Sequence, residues 1–187
     1  MSNNNLPLVS IITPSYNSMP FIEETILSVK NQDYDGDIEH IIFDANSRDG
    51  TVEAVQKFDN IIFISEPDSG QSDAINKGFD LARGEIIGWI NSDDFYEVGI
   101  IKKVVKFFLD NPKTDMIHGD THIVDESSVN IGITFGYNIK NPIDLLRNNA
   151  IKQPTIFMRK KIINNLKGVD KKLHWTMDRE LWLRILL

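Results

Sequence analysis

Short apolar runs rich in β-branched residues alternate, through the first half of this chain, with longer segments of helical periodicity. Leu8–Thr13 (LVSIIT), Glu39–Asp44 (EHIIFD), Ile61–Ser65 (IIFIS) and Glu85–Ile90 (EIIGWI) read as strands. Between them, Pro20–Asn31, Gly50–Phe58 and Ser72–Arg83 carry apolar residues at helical spacing. Strand–helix–strand units this short join parallel strands through right-handed crossovers. The pattern therefore predicts an α/β fold with an open, mainly parallel sheet. In such sheets ligands bind beyond the carboxyl ends of the strands. The residues just past each strand are Pro14, Ser15, Tyr16 and Asn17; Asp44, Asn46 and Ser47; Glu66 and Asp68; and Asn91, Ser92, Asp93 and Asp94. Four polar or acidic strand ends are thus expected to converge on one edge.

The second half is less regular. Val98–Leu109 predicts a helix that stops before Asn111-Pro112. Asp115–His118, Thr121–Val124 and Asn130–Tyr137 read as strands, with links short enough to suggest antiparallel pairing. Pro142–Asn148 reads as a short helix and Thr155–Met158 as one more strand. From Asp178 the apolar positions Leu181, Leu183, Ile185, Leu186 and Leu187 look helical, with no cap or polar tail after them. That end reads as a helix cut short in a longer natural protein; a helix ending in an interface is the alternative. No repeat, low-complexity tract or linker interrupts the chain. A single domain over 1–187 is expected, in two halves of about 8–95 and 96–187.

Charge and composition narrow the function. The net charge is −7, which argues against a nucleic-acid binder. It does not exclude a phosphate-bearing ligand, because a bound divalent cation can invert the local sign. Cysteine is absent, so disulfides, thiolate catalysis and cysteine-based zinc sites are excluded. The polar start lacks the features of a signal peptide, and no apolar run reaches membrane-span length. A cytoplasmic protein fits, with any membrane contact peripheral.

Four acidic residues stand out: Asp93, Asp94, Asp44 and Asp178. Asp93 and Asp94 are adjacent carboxylates at a strand end, and their repulsion is relieved by a hard cation such as Mg²⁺ or Mn²⁺ shared with substrate phosphates. The plainer alternatives are a solvated turn, or Asp94 as the cap of the following helix. Asp44 closes the second strand, where its carboxylate can accept a hydrogen bond from a base or ribose; an Asx-turn is the alternative. Asp178 by spacing alone suits a helix N-cap or first-turn acid. His118 and His122 suit core or surface roles better than metal ligation, and Trp182 suits the core.

The segments VSIITPSYN (9–17), DANSRDGT (44–51), EPDSGQSDAINKGFDLARG (66–84), WINSDD (89–94), QPTIFMRK (153–160) and WTMDRELWLR (175–184) together resemble glycosyltransferase family 2. They follow the family's order and span nearly the whole chain. The resemblance implies a GT-A fold, a Rossmann-like three-layer α/β/α sandwich with a mainly parallel sheet and a small antiparallel second half. It implies inverting transfer from a nucleotide-diphosphate sugar, with UDP favoured, to a glycan or glycolipid hydroxyl, using Mn²⁺ or Mg²⁺. By the same resemblance, Pro14 and Tyr16 line the nucleoside pocket and Asp44 bonds the base. Asp73 lies beside the donor, Asp93 faces the ribose or donor sugar, and Asp94 holds the cation. Ser92 stands where many relatives have the first acid of the motif. Asp178 matches the catalytic base, with Met177 where many relatives carry an acidic neighbour. Trp175 is a candidate sugar platform. Arg184 suits a phosphate contact, an ion pair or an exposed helix position. By analogy the acceptor belongs to a bacterial surface polysaccharide or glycolipid, with the protein at the inner face of the membrane.

Two rival readings remain. A nucleotidyltransferase needs a glycine-rich or basic loop after the first strand, and Thr13–Asn17 supplies neither. A non-catalytic sugar-nucleotide-binding domain would not need Asp178 beside an intact Asp44, Asp93 and Asp94.

Overall fold

The computed structural model describes residues 6–137, 139, 141–147 and 150–187. The polar start over 1–5 and the Asn148 end of the helix expected over 142–148 lie outside the described residues. The main sheet is assembled from β1 (Val9–Ser15), β2 (Ile38–Asp44), β3 (Ile61–Ser65) and β4 (Ile86–Trp89), with the shorter β5 (Met116–Ile117) and β8 (Phe157–Arg159). Its order is β3-β2-β1-β4-β8-β5. The four N-terminal strands are parallel, as the crossover argument requires. β8 runs antiparallel to both β4 and β5.

Helices cover both faces. Side chains alternate along each strand, so β1 sends Ile12 to one side and Val9 and Ile11 to the other. On the first side, Ile12, Ile41, Phe43, Ile87 and Trp89 meet α3 (Gln71–Leu81), α6 (Lys160–Leu166) and α7 (Met177–Leu186). On the second, Val9, Ile11, Ile86 and Ile90 meet α4 (Ile100–Asp110). Beside them, Ile42 meets α1 (Ile22–Lys30) and α2 (Thr51–Val55). This is the expected three-layer sandwich. Gly78 permits the close seating of α3 on β1, because a Cβ there would collide with the Ile12 side chain. Trp182 is 1% exposed and packs 6.2 Å from Trp89, centroid to centroid, so the expectation that it belongs to the core holds.

Two expectations change in the second half. The strand over 115–118 does not pair with its sequence neighbour. As β5 it joins the main sheet through β8, while β6 (Thr121–Val124) and β7 (Asn130–Thr134) form a separate antiparallel hairpin. α6 has no counterpart among the sequence expectations; its apolar stripe is only Ile162, Ile163 and Leu166. Lys167 and Gly168, both left-handed at φ 60° and 69°, end it. The short α5 (Ile143–Arg147) falls where a helix was expected. Among the described residues no helix is long and apolar enough to cross a membrane.

His40 is buried on β2, with Nε2 3.0 Å from Thr13 Oγ1. Burial pushes its imidazole down to about 3, so it is neutral in the folded protein at neutral pH.

Candidate active site

Strand register builds the first part of the site. Ser15 of β1 pairs with Asp44 of β2, and Asp44 pairs with Ser65 of β3. Paired residues of parallel strands share a face, which brings the two serines beside the carboxylate. Ser65 Oγ donates to Asp44 Oδ2 at 2.6 Å and Ser15 Oγ to Oδ1 at 3.4 Å. The Ser47 backbone N–H donates to Oδ2 at 2.9 Å, and the Ser47 hydroxyl also donates to Oδ1. Asp44 therefore takes the Asx-type arrangement given above as its alternative, ordering the β2–α2 loop through Ser47. From Ser15 the hydroxyls continue to Ser18 at 3.0 Å and on to Ser92 at 2.7 Å. This serine chain links Asp44 to the loop after β4. Ser18 and Ser65 escaped the sequence reading: strand register alone brings Ser65 to Asp44, and Ser18 comes in from the loop before α1.

The loop after β4 is held from α1. Thr25 Oγ1 donates to the Asp94 carbonyl at 2.7 Å, the Tyr96 N–H donates to Ser28 Oγ at 3.0 Å, and Gln32 Nε2 donates to the Glu97 carbonyl at 2.9 Å. Helical spacing puts Thr25, Ser28 and Gln32 on one face. α4 starts only at Ile100, with Gly99 before it at φ 81°, so Asp94 is not its cap. Asp93 is exposed and Asp94 half-buried. Burial first, and the Asp93 charge second, push the Asp94 carboxyl up to about 6, partly offset by a hydrogen bond from Asn91. This paired, oxygen-only donor set, with no ion pair among the described residues, fits a hard divalent cation that completes its shell with phosphate oxygens. Among the described residues no cluster of three or more His, Cys, Asp or Glu could hold a metal unaided.

A cavity of about 1030 Å³ opens at this edge. Pro14, Tyr16, Asn46, Arg48, Gly70, Gln71 and Asp93 are among the residues that line it. Tyr16 is 66% exposed, so its ring is free to face a ligand. Gln71 donates to Asn91 Oδ1 at 3.1 Å, Asn91 to Gln153 Oε1 at 3.1 Å, and Gln153 to the Trp89 carbonyl at 2.8 Å. This amide chain ties α3, the β4 end and the Gln153–Thr155 turn together. Arg48, Gln71 and Gln153 were not singled out by sequence, although all three lie in quoted runs, DANSRDGT, EPDSGQSDAINKGFDLARG and QPTIFMRK.

The remaining site positions flank the cavity. Asp73 is not in its lining; its carboxylate holds Lys171 Nζ at 2.7 Å and Lys77 Nζ at 3.3 Å. The hydrogen bond from Lys171, ahead of that from Lys77, brings its carboxyl down to about 2. Asn76 clamps both sides of Val169, donating to its carbonyl at 2.8 Å and accepting from its N–H at 2.9 Å. Ser72 Oγ donates to the Leu173 carbonyl at 2.6 Å. Arg184 donates to the carbonyls of Leu166 at 2.6 Å and Gly168 at 2.7 Å while paired with Glu180, which makes it an ion-paired loop anchor. The segment 167–176 is thus fixed against α3, and His174 packs on Gly70 at the cavity rim. Trp175, 85% exposed, and Asp178, half-buried in the first turn of α7, follow directly. Asp178 does not line the cavity.

Comparison with known proteins agrees with this geometry. The family model described as Glycosyl transferase family 2 matches residues 10–166. An uncharacterized glycosyltransferase of Haemophilus influenzae is 31% identical over 171 residues, 87% of this chain and 66% of that protein. TuaG of Bacillus subtilis, named as a teichuronic acid biosynthesis glycosyltransferase, is 36% identical over 109 residues, 56% of this chain and 43% of that one. The chain thus spans about two thirds or less of these relatives. Among solved structures, S. aureus TarS 1-349 in complex with UDP superimposes with a TM-score of 0.70 at 19% identity, covering 92% of this chain and 53% of that one. The mannosyltransferase PcManGT from Pyrobaculum calidifontis, in complex with GDP-Man and Mn²⁺, gives 0.68 at 21% identity, covering 89% and 48%. At these identities the two structures establish the shared fold.

Proposed function

The chain belongs to glycosyl transferase family 2, and from that premise we propose that it is an inverting glycosyltransferase acting on a nucleotide-diphosphate sugar. The observation that carries the reading is the cavity at the carboxyl edge of the sheet, lined by Pro14 and Tyr16 of the β1 end, Asn46 and Arg48 after β2, and Asp93 after β4. Its span suits a nucleoside at the β1–β2 end and a diphosphate sugar toward the β4 loop. Solved structures of this fold carry UDP in one case and GDP-Man with Mn²⁺ in another. UDP is our choice for the donor nucleotide.

Pro14 and Tyr16 receive the base. Asp44, shared with Ser47 and Ser65, offers it a hydrogen-bond acceptor. Asp73 acts beside the donor through its grip on Lys171 and the 167–176 segment. Asp93 faces the ribose or the donor sugar, and Asp93 with Asp94 holds Mn²⁺ or Mg²⁺. When bound there, the cation supplies Lewis-acid neutralisation of the departing diphosphate. Asp178 takes the proton of the acceptor hydroxyl as that oxygen forms its bond to the anomeric carbon. The anomeric C–O bond to the diphosphate breaks, and its electron pair leaves with the phosphate oxygen. One displacement inverts the anomeric centre, so no side-chain nucleophile is required. Residues of about 8–95 bind the donor, and about 96–187 shape the acceptor side. A surface glycan or glycolipid acceptor and work at the inner face of the membrane complete the proposal.

Asp178→Asn tests the base. The variant is expected to lose donor turnover, measured as release of nucleoside diphosphate, while binding donor and Mn²⁺ normally by calorimetry. Turnover retained within a few-fold excludes Asp178 as the base.

A further inference from the structure

The β6–β7 hairpin stands apart from the main sheet, and among the described residues its two strands pair only with each other. Burial alternates strictly through β7 and the three residues after it. Ile131, Ile133, Phe135 and Tyr137 are 50–65% exposed, while Gly132, Thr134 and Gly136 between them are half-buried. Successive strand residues point to opposite faces, so the large apolar side chains share one face. An alternation this regular normally turns its apolar face to a core. Here that face is open to solvent. The hairpin is also tied down. Ser128 Oγ donates to Glu24 Oε2 on α1 at 2.6 Å, and the Gly136 N–H donates to Asp120 Oδ1 at 2.9 Å. The stripe is therefore presented from a fixed support.

Charge narrows what can cover it. From 129 to 137 the chain has no charged residue, although charged residues make up 25% of the whole. From 114 to 139 it has four acids and no lysine or arginine. Anionic membrane surfaces are held by lysine and arginine, so this segment does not suit one, and a polyanion is disfavoured for the same reason. A second copy of the chain offers the same flat, uncharged stripe. Pairing about a two-fold axis sets no like charges opposite each other within it. The area is sufficient. With Val129, 57% exposed, the stripe has five large side chains. At on the order of 150–200 Å² each, they leave roughly 500 Å² exposed per copy. Two copies bury about 1,000 Å², the lower bound for a specific interface.

We propose that the chain self-associates into a two-fold dimer through the apolar face of β7. The inference is independent of the transferase reading. An interface of this size gives a weak dimer, with a dissociation constant of about 10–100 µM.

Sedimentation velocity of the chain from about 5 to 500 µM tests it. The mass is expected to rise from one chain to two across that range. Ile131→Glu and Phe135→Glu, at positions more than half exposed, are each expected to weaken dimerisation at least about tenfold while leaving the urea midpoint unchanged. Leu81→Glu, at an exposed position of α3 on the main sheet, is expected to leave dimerisation as in wild type. A wild-type chain that stays monomeric throughout overturns the proposal. So does a dimer that both hairpin variants form as tightly as wild type. Flotation with neutral phosphatidylcholine vesicles is run in parallel. Binding there by a monomeric wild type, lost in Ile131→Glu, identifies lipid as the occupant and also overturns it.

Discussion

Asn76→Ala is the sharpest test of how the fold supports the site. Asn76 is 8% exposed and bonds both polar atoms of the buried Val169, at 2.8 and 2.9 Å. The variant removes two hydrogen bonds and leaves one N–H and one carbonyl without their partner. A net hydrogen bond contributes about 0.5–1.5 kcal/mol, and a stranded buried group costs about 1–3 kcal/mol. The expected loss is therefore about 2–4 kcal/mol, read as a lower urea midpoint at unchanged slope. Opening of the 167–176 segment alone lets water reach Val169; the global loss is then smaller, and amide exchange at Val169 accelerates instead. Either way Asp178 is placed less well, and turnover should fall more than donor affinity. Asn76→Asp keeps an acceptor for the Val169 N–H but sets an oxygen against its carbonyl. It should be no more stable than Asn76→Ala. A midpoint change below about 0.5 kcal/mol, with exchange and turnover unaltered, refutes the clamp. So does clear rescue by aspartate.

Two pH effects follow from the geometry. His40 falls from an ordinary 6.5 to about 3 in the folded protein, so the unfolded chain binds the extra proton and stability drops as pH falls below 6.5. From pH 7 to 5 the loss is about 2 kcal/mol, and His40→Gln should remove most of it; equal pH dependence in both proteins contradicts the burial argument. Asp94, held at about 6 by burial and the Asp93 charge, acts in the opposite sense on stability: the fold binds this proton more tightly, and stability declines as pH rises from about 4 to 6. Protons then compete with the cation. Mn²⁺-dependent donor binding should weaken roughly tenfold from pH 7 to 5, as measured by calorimetry, and pH-independent binding would show that Asp94 is not a ligand.

Much of this architecture is legible from local pattern. The central strands β1 to β4 match their apolar runs within about two residues, and the crossover rule orients them parallel. The convergence of Tyr16, Asp93 and Asn46 on one cavity follows from that orientation. What the pattern does not carry is side-chain partnership across elements. The Ser47 bonds of Asp44 were legible as an Asx-turn, but Ser15 and Ser65 reach it only through strand register. The Lys171 partner of Asp73 lies nearly a hundred positions away in sequence, so no local pattern announces that ion pair. β5 is two residues long and finds its place only through β8, so its short link to β6 pointed to the wrong partner. α6 has too few apolar positions for a periodicity to stand out.

Titration with UDP and UDP-sugars in Mn²⁺ or in chelator, on wild type and on the Asp93→Asn, Asp94→Asn double variant, tests the central claim most directly. The account predicts saturable one-to-one binding by wild type in Mn²⁺, with at least about tenfold weakening in chelator or in the variant. No binding across UDP, GDP and their sugar conjugates, or equal binding by the variant, would contradict it.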